Sequence, residues 1–293
     1  MKNSSVSSLL FSVWILIGIS CGSDSGPGIP DFEMFISSRA TSSVKRFDGA
    51  SGKYIDDFVK PGSGGLNLTQ EVAFGPDGHL YVSGRGTTAI LKFDKDTGEF
   101  IERFTKGYSL DEPTKITFGQ DGLLYISQWG KSKNKVARFN ADTGAFVDEV
   151  TEGLNQGMAH AWDKTGNLYV VSYGSRDVKR YTNEGAFMDV FTKGGNLQGP
   201  VNLWFGSDDN LYVVDWETGT VQIFNGATGS FIRNFITGLT KVEGFAFDNG
   251  GNLYLCDWVK NTINQYDASG NLKATIIKNS GLSQPNSIAI RQK

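Results

Sequence analysis

Six residues able to grip a ligand recur at near-constant spacing: Arg39, Arg85, Trp129, Tyr173, Trp216 and Trp258, separated by 46, 44, 44, 43 and 42 positions. Trp and Tyr offer rigid faces on which a sugar, an aromatic small molecule or a peptide segment can stack. Arg adds a planar fork that pairs with carboxylates or stacks in turn. The competing reading is that these side chains pack only between neighbouring structural units. Acid–base chemistry has fewer candidates. The chain holds two histidines, and an imidazole is the usual base near neutral pH. His79 lies in a "PDGH" turn, where a solvent-exposed position is expected. His160, in "GMAHAWD", replaces an aliphatic residue of a strand and is the one candidate imidazole base. A hydrogen-bonded structural role competes with that reading. With imidazoles this scarce, no Ser/His/Asp order can be assigned.

A repeat positions these residues. "GPDGHLYVSGRG", "GQDGLLYISQWG", "DKTGNLYVVSYG", "GSDDNLYVVDWE" and "DNGGNLYLCDWV" recur with their aromatic at Tyr81, Tyr125, Tyr169, Tyr212 and Tyr254. An earlier copy, "DFEMFISSRA", carries Phe35 at that position. Each unit reads as four short strands joined by D-G, T-G or G-G turns, and 37 glycines against 7 prolines fit that many tight turns. Four strands per such repeat is the pattern of a propeller blade. First strands centre on Val72, Ile116, His160, Leu203, Phe245 and Ile288, yet the chain begins with a second strand and ends with a first. The expected fold is an all-β, six-bladed β-propeller over residues 31–293 with four-stranded blades. Its last blade would join residues 31–59 to the C-terminal strand "PNSIAI", burying Ile288 and Ile290 and leaving no open sheet edge. In this architecture the six recurring residues share a face with a second ring that precedes each first strand: Gln70, Thr114, Met158, Val201, Glu243 and Asn286.

The stretch "FGPDGHLYVSGRGTTAILKFDKDTGEFIERF" resembles NHL-type repeats and the six-bladed propellers grouped with streptogramin (virginiamycin B) lyase and gluconolactonase-like proteins. That resemblance spans residues 31–293. It implies the fold and leaves activity open, since such propellers include lyases, lactonases, scaffolds and receptor-like binders. "VEGFAF" and "QPNSIAI" are similar to segments that place metal ligands in the gluconolactonase family. By that resemblance Glu243, Asn286 and Gln70 would hold calcium or magnesium, a hard cation suited to oxygen donors. The family also needs an Asp at this level, and Thr114, Met158 and Val201 do not supply one. The lyase resemblance implies a His base beside a His/Glu metal cluster, which two histidines cannot furnish. Glu243 and His160 remain as catalytic candidates for a metal-assisted lyase or lactonase. The Asp/Gly pairs in "DKDTG" and "NADTG" are read as turns rather than calcium loops, because the trailing bidentate Glu is missing. Asp215 and Asp257 are expected to hydrogen-bond their own loops.

The N-terminus, "MKNSSVSSLLFSVWILIGISCG", has an early Lys2, an apolar run from Leu9 to Ile19, and Cys21. It resembles the lipobox of bacterial lipoproteins. This implies a signal peptide over residues 1–20, lipidation of Cys21, and a flexible tether over residues 21–30. The location implied is the cell envelope, lipid-anchored and extracytoplasmic, with Gly22 favouring the outer membrane. An ordinary cleaved signal peptide is the alternative. With Cys21 acylated, Cys256 is the one thiol left and no intramolecular disulfide can form. Charges of both signs are mixed along the chain and the net charge is −3, which excludes a nucleic-acid interface. The expectation is therefore a monomeric binding module that takes a small molecule, a glycan or a protein through its ring of Arg, Trp and Tyr. Membrane contact would come through the lipid anchor alone. The lyase or lactonase is the alternative, and a structural scaffold stands third.

Overall fold

In the computed structural model, residues 32–293 are described. Cys21, the signal segment and the tether lie outside them. The chain opens with β1 (Phe32–Ser38), β2 (Ser43–Asp48) and β3 (Tyr54–Val59). Blade one is β4 (Thr69–Phe74), β5 (Leu80–Gly84), β6 (Ala89–Phe93) and β7 (Phe100–Arg103). Blade two is β8 (Pro113–Phe118), β9 (Leu123–Gln128), β10 (Val136–Asn140) and β11 (Phe146–Val150). Blade three is β12 (Gly157–Trp162), β13 (Leu168–Ser172), β14 (Asp177–Tyr181) and β15 (Phe187–Val190). Blade four is β16 (Pro200–Phe205), β17 (Leu211–Asp215), β18 (Thr220–Phe224) and β19 (Phe231–Ile236). Blade five is β20 (Val242–Phe247), β21 (Leu253–Asp257), β22 (Thr262–Tyr266) and β23 (Leu272–Ile277), and β24 (Pro285–Gln292) ends the chain. These strands form six four-stranded antiparallel sheets, and the sixth has the order β24-β1-β2-β3. The fold is a six-bladed β-propeller.

Local chemistry explains why each repeat folds into the same hairpin. In the turn before every Tyr-bearing strand, an Asp carboxylate accepts backbone N–H groups of the turn with one oxygen and the tyrosine hydroxyl with the other. The Tyr-to-Asp distances are 2.9 Å at Asp77, 2.7 Å at Asp121, 3.1 Å at Asp163, 3.2 Å at Asp208 and 3.0 Å at Asp248. The turns between third and fourth strands are likewise closed from within. Asn140 Oδ1 accepts from Asp142 N–H, Thr143 N–H and the Thr143 hydroxyl, and Asp94 does the same with Asp96 and Thr97. These are turns, as their sequences indicate. Gly144 completes one of them at φ 71°, where a Cβ would lie 1.9 Å from the Phe104 carbonyl oxygen of the preceding blade. A side chain there would break both the turn and the docking of blade two on blade one.

Blades bury their faces on one another through the same aromatic. Phe35 meets Phe58 of its own blade and Phe74 of the next edge-to-face, with centroids 4.8 and 5.0 Å apart. Tyr81 repeats this with Phe104 and Phe118, both at 4.9 Å, and Tyr169 with Phe191 and Phe205, at 4.8 and 4.9 Å. Such pairs add about 0.5–1.5 kcal/mol each beyond the area they bury.

The ring is closed by the C-terminus. Strand β24 pairs antiparallel with β1, matching Ile288 to Ile36, Ala289 to Phe35 and Ile290 to Met34. Its main other contacts are to the innermost strands on either side, β20 and β4. Ile288 is buried, whereas Ile290 is only half-buried, as exposure rises toward the last residues of the strand. Ile288→Ala is expected to cost about 2–4 kcal/mol, a fall of about 5–15 °C in Tm for a domain of this size. Removal of residues 285–293 should abolish the cooperative melt. Scanning calorimetry checks both, and a truncated chain that melts like the intact one overturns the clasp.

Candidate functional site

One backbone hydrogen bond, made six times, places the first ring. The N–H of each of Arg39, Arg85, Trp129, Tyr173, Trp216 and Trp258 donates to the carbonyl of the residue just before the innermost strand of its own blade. The acceptors are Gln284, Leu68, Glu112, Gln156, Gly199 and Lys241, at 2.8–3.3 Å. Four of these acceptor residues, Leu68, Glu112, Gln156 and Gln284, hold left-handed backbone with φ between 50° and 58°. The link ties the loop leaving the second strand to the loop entering the first, so the two rings come to one level.

Eleven of the twelve ring positions line one cavity of about 210 Å³ at the mouth of the central channel. All six residues of the first ring are half-buried. They line the cavity, and Trp129, Tyr173 and Trp216 also pack on the core beneath it. Both readings of the aromatics therefore describe the same side chains. Thr114 is the absent twelfth: its hydroxyl donates to the carbonyls of Met158 and Ser127, at 2.6 and 3.2 Å.

The mouth is divided. Arg39 and Arg85 are neighbours on one arc, and Trp129, Tyr173, Trp216 and Trp258 follow round the rest. Trp129 and Tyr173 meet edge-to-face at 4.9 Å, as do Trp216 and Trp258 at 5.5 Å. Arg85 lies over the Trp129 ring, 5.0 Å from its centroid, and pairs with Glu112. The Tyr173 hydroxyl donates to Glu217 at 2.7 Å, and Lys241 donates to the other Glu217 oxygen, also at 2.7 Å. That strap crosses three blades. Burial, then the Glu217 bond, pushes the Tyr173 phenol up to about 12.

Under the arginines the second ring is polar, with Asn286 and Gln70, and under Tyr173 and Trp216 it is apolar, with Met158 and Val201. Gln70 organises the polar side. Its Oε1 accepts from the Arg39 guanidinium and, at 2.8 Å, from Asn286 Nδ2, while its Nε2 donates to Glu243 Oε1. Gly244 makes this cluster possible. A Cβ there would sit 2.1 Å from the Asn286 carbonyl oxygen, so only glycine lets β20 and β24 approach backbone to backbone. Glu243 Oε2 takes no hydrogen bond from the described residues and is not sealed from solvent, so it opens on the cavity. Burial raises the Glu243 carboxyl from the ordinary 4.5 to about 8, with the neighbouring Arg39 pulling it back down and Glu71 pushing it up. Near neutral pH it is a neutral acid. Arg39 is lowered, first by burial and next by the charge of Arg85.

The candidate metal ligands Glu243, Asn286 and Gln70 do come together, but the set does not fit calcium or magnesium. Both lone-pair directions of Gln70 Oε1 are taken by protein donors, and the Arg39 guanidinium stands close to the one carboxyl, a cation where a second cation would have to sit. Among the described residues, no three His, Cys, Asp or Glu side chains gather to hold a metal ion.

His160 lies elsewhere. It is buried, its Nδ1 is 2.7 Å from the Ser127 hydroxyl of blade two, and its ring packs edge-on against Trp162 at 5.1 Å. Burial, and then the Lys115 charge, lowers it to about 3, so it is a neutral inter-blade link that does not reach the cavity. His79 is half-buried rather than exposed, because its Nδ1 accepts the Lys95 N–H at 3.1 Å. Cys256 is a buried free thiol pushed up by burial. Asp215 binds N–H groups of Gln198, Gly199 and Thr218, and Asp257 that of Lys260, each serving its loops. Sequence reasoning passed over Glu112, Glu217 and Lys241. Glu217 adjoins Trp216 in the chain, which is a findable signal, whereas Glu112 and Lys241 reach the mouth only through the fold.

No protein-family model and no curated protein matches the chain. Solved structures do. A chain from the crystal structure of a nidogen/laminin complex superposes with a TM-score of 0.71 at 18% identity, covering 88% of this chain and 98% of that one. A protein of unknown function from Bacteroides caccae gives 0.72 at 14% identity, over 90% of this chain and all of the other (100%). Catalytically inactive virginiamycin B lyase from Staphylococcus aureus, solved with quinupristin, gives 0.59 at 14% identity, over 75% and 73%. At these identities the likeness is one of fold.

The protonation of Glu243 has a measurable consequence. Its folded value is raised, so its contribution to stability is full below about pH 4.5 and is lost as pH rises through about 8. Tm should fall more steeply between pH 5 and pH 9 in the native chain than in Glu243→Gln. Parallel slopes in a fluorimetric melt would show that the carboxyl is ionised throughout.

Proposed function

We propose that this chain is a binding module that takes a small ligand into the mouth of its propeller. The observation that carries the reading is the convergence of eleven ring residues from all six blades on one cavity. A concave, mostly apolar site with a few convergent polar groups is the usual form of a small-molecule site. Glu112 and Glu217 hold Arg85 and Tyr173 in place, so little freedom is lost on binding. Propellers of like fold have been solved in a protein complex, nidogen with laminin, and with a small molecule, quinupristin. The cavity favours the small molecule over a protein or a glycan chain, because its recognising groups converge on one space of about 210 Å³. Turnover is the second reading, favoured by Glu243, a neutral acid near pH 7 with an oxygen open to the site. The protein would work in the cell envelope of a bacterium, held by a lipid on Cys21, a placement supported by the N-terminal sequence.

A thermal-shift screen of a metabolite library against the intact chain tests binding. A ligand present at about 100 times its Kd stabilises by about 2.7 kcal/mol, a rise of about 5–10 °C in Tm. Trp216→Ala and Trp258→Ala are expected to erase that rise while keeping the far-ultraviolet dichroism of the parent. If both variants instead unfold, the aromatics are core and the reading loses its support. For the anchor, Cys21→Ser should lose metabolic palmitate labelling and leave the membrane fraction, and an unchanged label would place the lipid elsewhere.

A further inference from the structure

The cavity has a charge as well as a shape. Three cations stand at the mouth: Arg39 and Arg85 line it, and Lys241 lies over Trp216 with its ammonium 5.6 Å from the ring centroid. Two of them have carboxylate partners, Arg85 with Glu112 and Lys241 with Glu217. Among the described residues, Arg39 has none within ion-pair distance. Its guanidinium donates to an amide oxygen, that of Gln70, and the carboxyl nearest to it in the cluster, Glu243, is held as the neutral acid. Deeper on the inner strands, Glu71 and Lys115 neutralise one another at 2.9 Å. Three cations against two carboxylates leave one uncompensated positive charge, and it sits on a half-buried side chain.

Protein interiors do not leave a guanidinium without a counter-charge at no cost, since burial removes the water that would otherwise screen it. A ligand that brings one negative charge to Arg39 relieves that cost. Glu243 Oε2, open to the same space, adds a donor O–H that an anion can accept and a neutral amide accepts less well. Across the cavity the chemistry reverses: Met158 and Val201 form an apolar floor, with Tyr173 and Trp216 standing above it.

We propose that the ligand of this site is a small monocarboxylic acid with a flat or compact apolar body. Its carboxylate would be clamped by Arg39 with Glu243 as second donor, and its body would lie on the aromatic arc. This proposal rests on the reading of the mouth as a small-molecule site and adds the sign of the ligand's charge and its orientation. It also carries a pH dependence. The charged and titratable groups that bear on Glu243 are Arg39, Arg85, Glu71 and Cys256, and of these two are cations and Glu71 is already paired with Lys115. As Glu243 loses its proton it cancels the free charge and repels the bound carboxylate, so acid binding weakens as pH rises through the region of 8.

The test is isothermal calorimetry on the intact chain with 3-phenylpropionate and indole-3-propionate, each against its matched primary amide. The acids are expected to bind at least tenfold more tightly than the amides at pH 7. Their affinity should fall at least tenfold between pH 7 and pH 9.5, while amide binding stays level. Arg39→Gln should bring the acid-to-amide ratio to near one, and Glu243→Gln should flatten the pH dependence. The pH arm needs no variant, so it stands even if a substitution fails to fold. Amides that bind as well as acids, or acid binding indifferent to pH, overturn the anionic ligand and leave the small-molecule reading in place. Acids and amides that both fail at millimolar concentration overturn this proposal, and the absence of any hit in the library screen would remove the small-molecule reading itself.

Discussion

A propeller blade has two faces and can cover neither alone, so the whole molecule depends on closing the ring. Closure is made by β24, which the chain supplies last and which fills the innermost place of a blade begun by β1, the first described strand. The same act builds the polar side of the cavity. Because β24 lies between β20 and β4, Asn286 is delivered beside Gln70, and Gly244 allows β20 close enough for Glu243 to join them. Asn286 and Glu243 are separated by 43 positions in the chain and belong to different blades. Stability and site therefore share one contact, and a chain that lost its clasp would lose the cluster with it.

Electrostatics in the cavity is a contest that burial wins. A carboxyl beside a guanidinium would ordinarily be ionised, and Arg39 does pull Glu243 that way. The cost of placing a charge among Gln70, Asn286 and the inner strands is larger, so the proton stays on near neutral pH. Arg39 is lowered by the same burial but remains charged, since a guanidinium holds its proton far above neutrality. The outcome is a neutral acid next to a cation. A paired, ionised Glu243 would have produced a satisfied salt bridge with nothing left to recognise. His160 shows the opposite use of burial: lowered to about 3 and bonded to Ser127, it is a link between blades.

The repeat carried most of the architecture in plain view. Tyr81, Tyr125, Tyr169, Tyr212 and Tyr254 mark one strand in five of the six blades because each must reach an Asp in its own turn and pack its ring between strands. Local hydrogen bonding and alternating burial impose that pattern at those five copies. The two rings were legible for the same reason, as equivalent positions in equivalent blades. The partners of the rings were not. Glu112, Glu217 and Lys241 occupy places whose residue type is not repeated, so periodicity says nothing of them. The backbone bond that sets the first ring uses left-handed residues such as Leu68 and Gln156, which no turn preference announces.

Repetition and short-range chemistry encode three things that are readable along the chain: six blades, the shared face of the rings, and a C-terminal strand that completes a blade begun at the other end. The electrical state of the site is settled by packing between blades. Whether Glu243 is charged, whether Arg39 finds a carboxylate, and whether His160 reaches the cavity depend on burial and on neighbours from other blades. Those quantities are set by three-dimensional packing around each group, and a linear order of residues does not contain them.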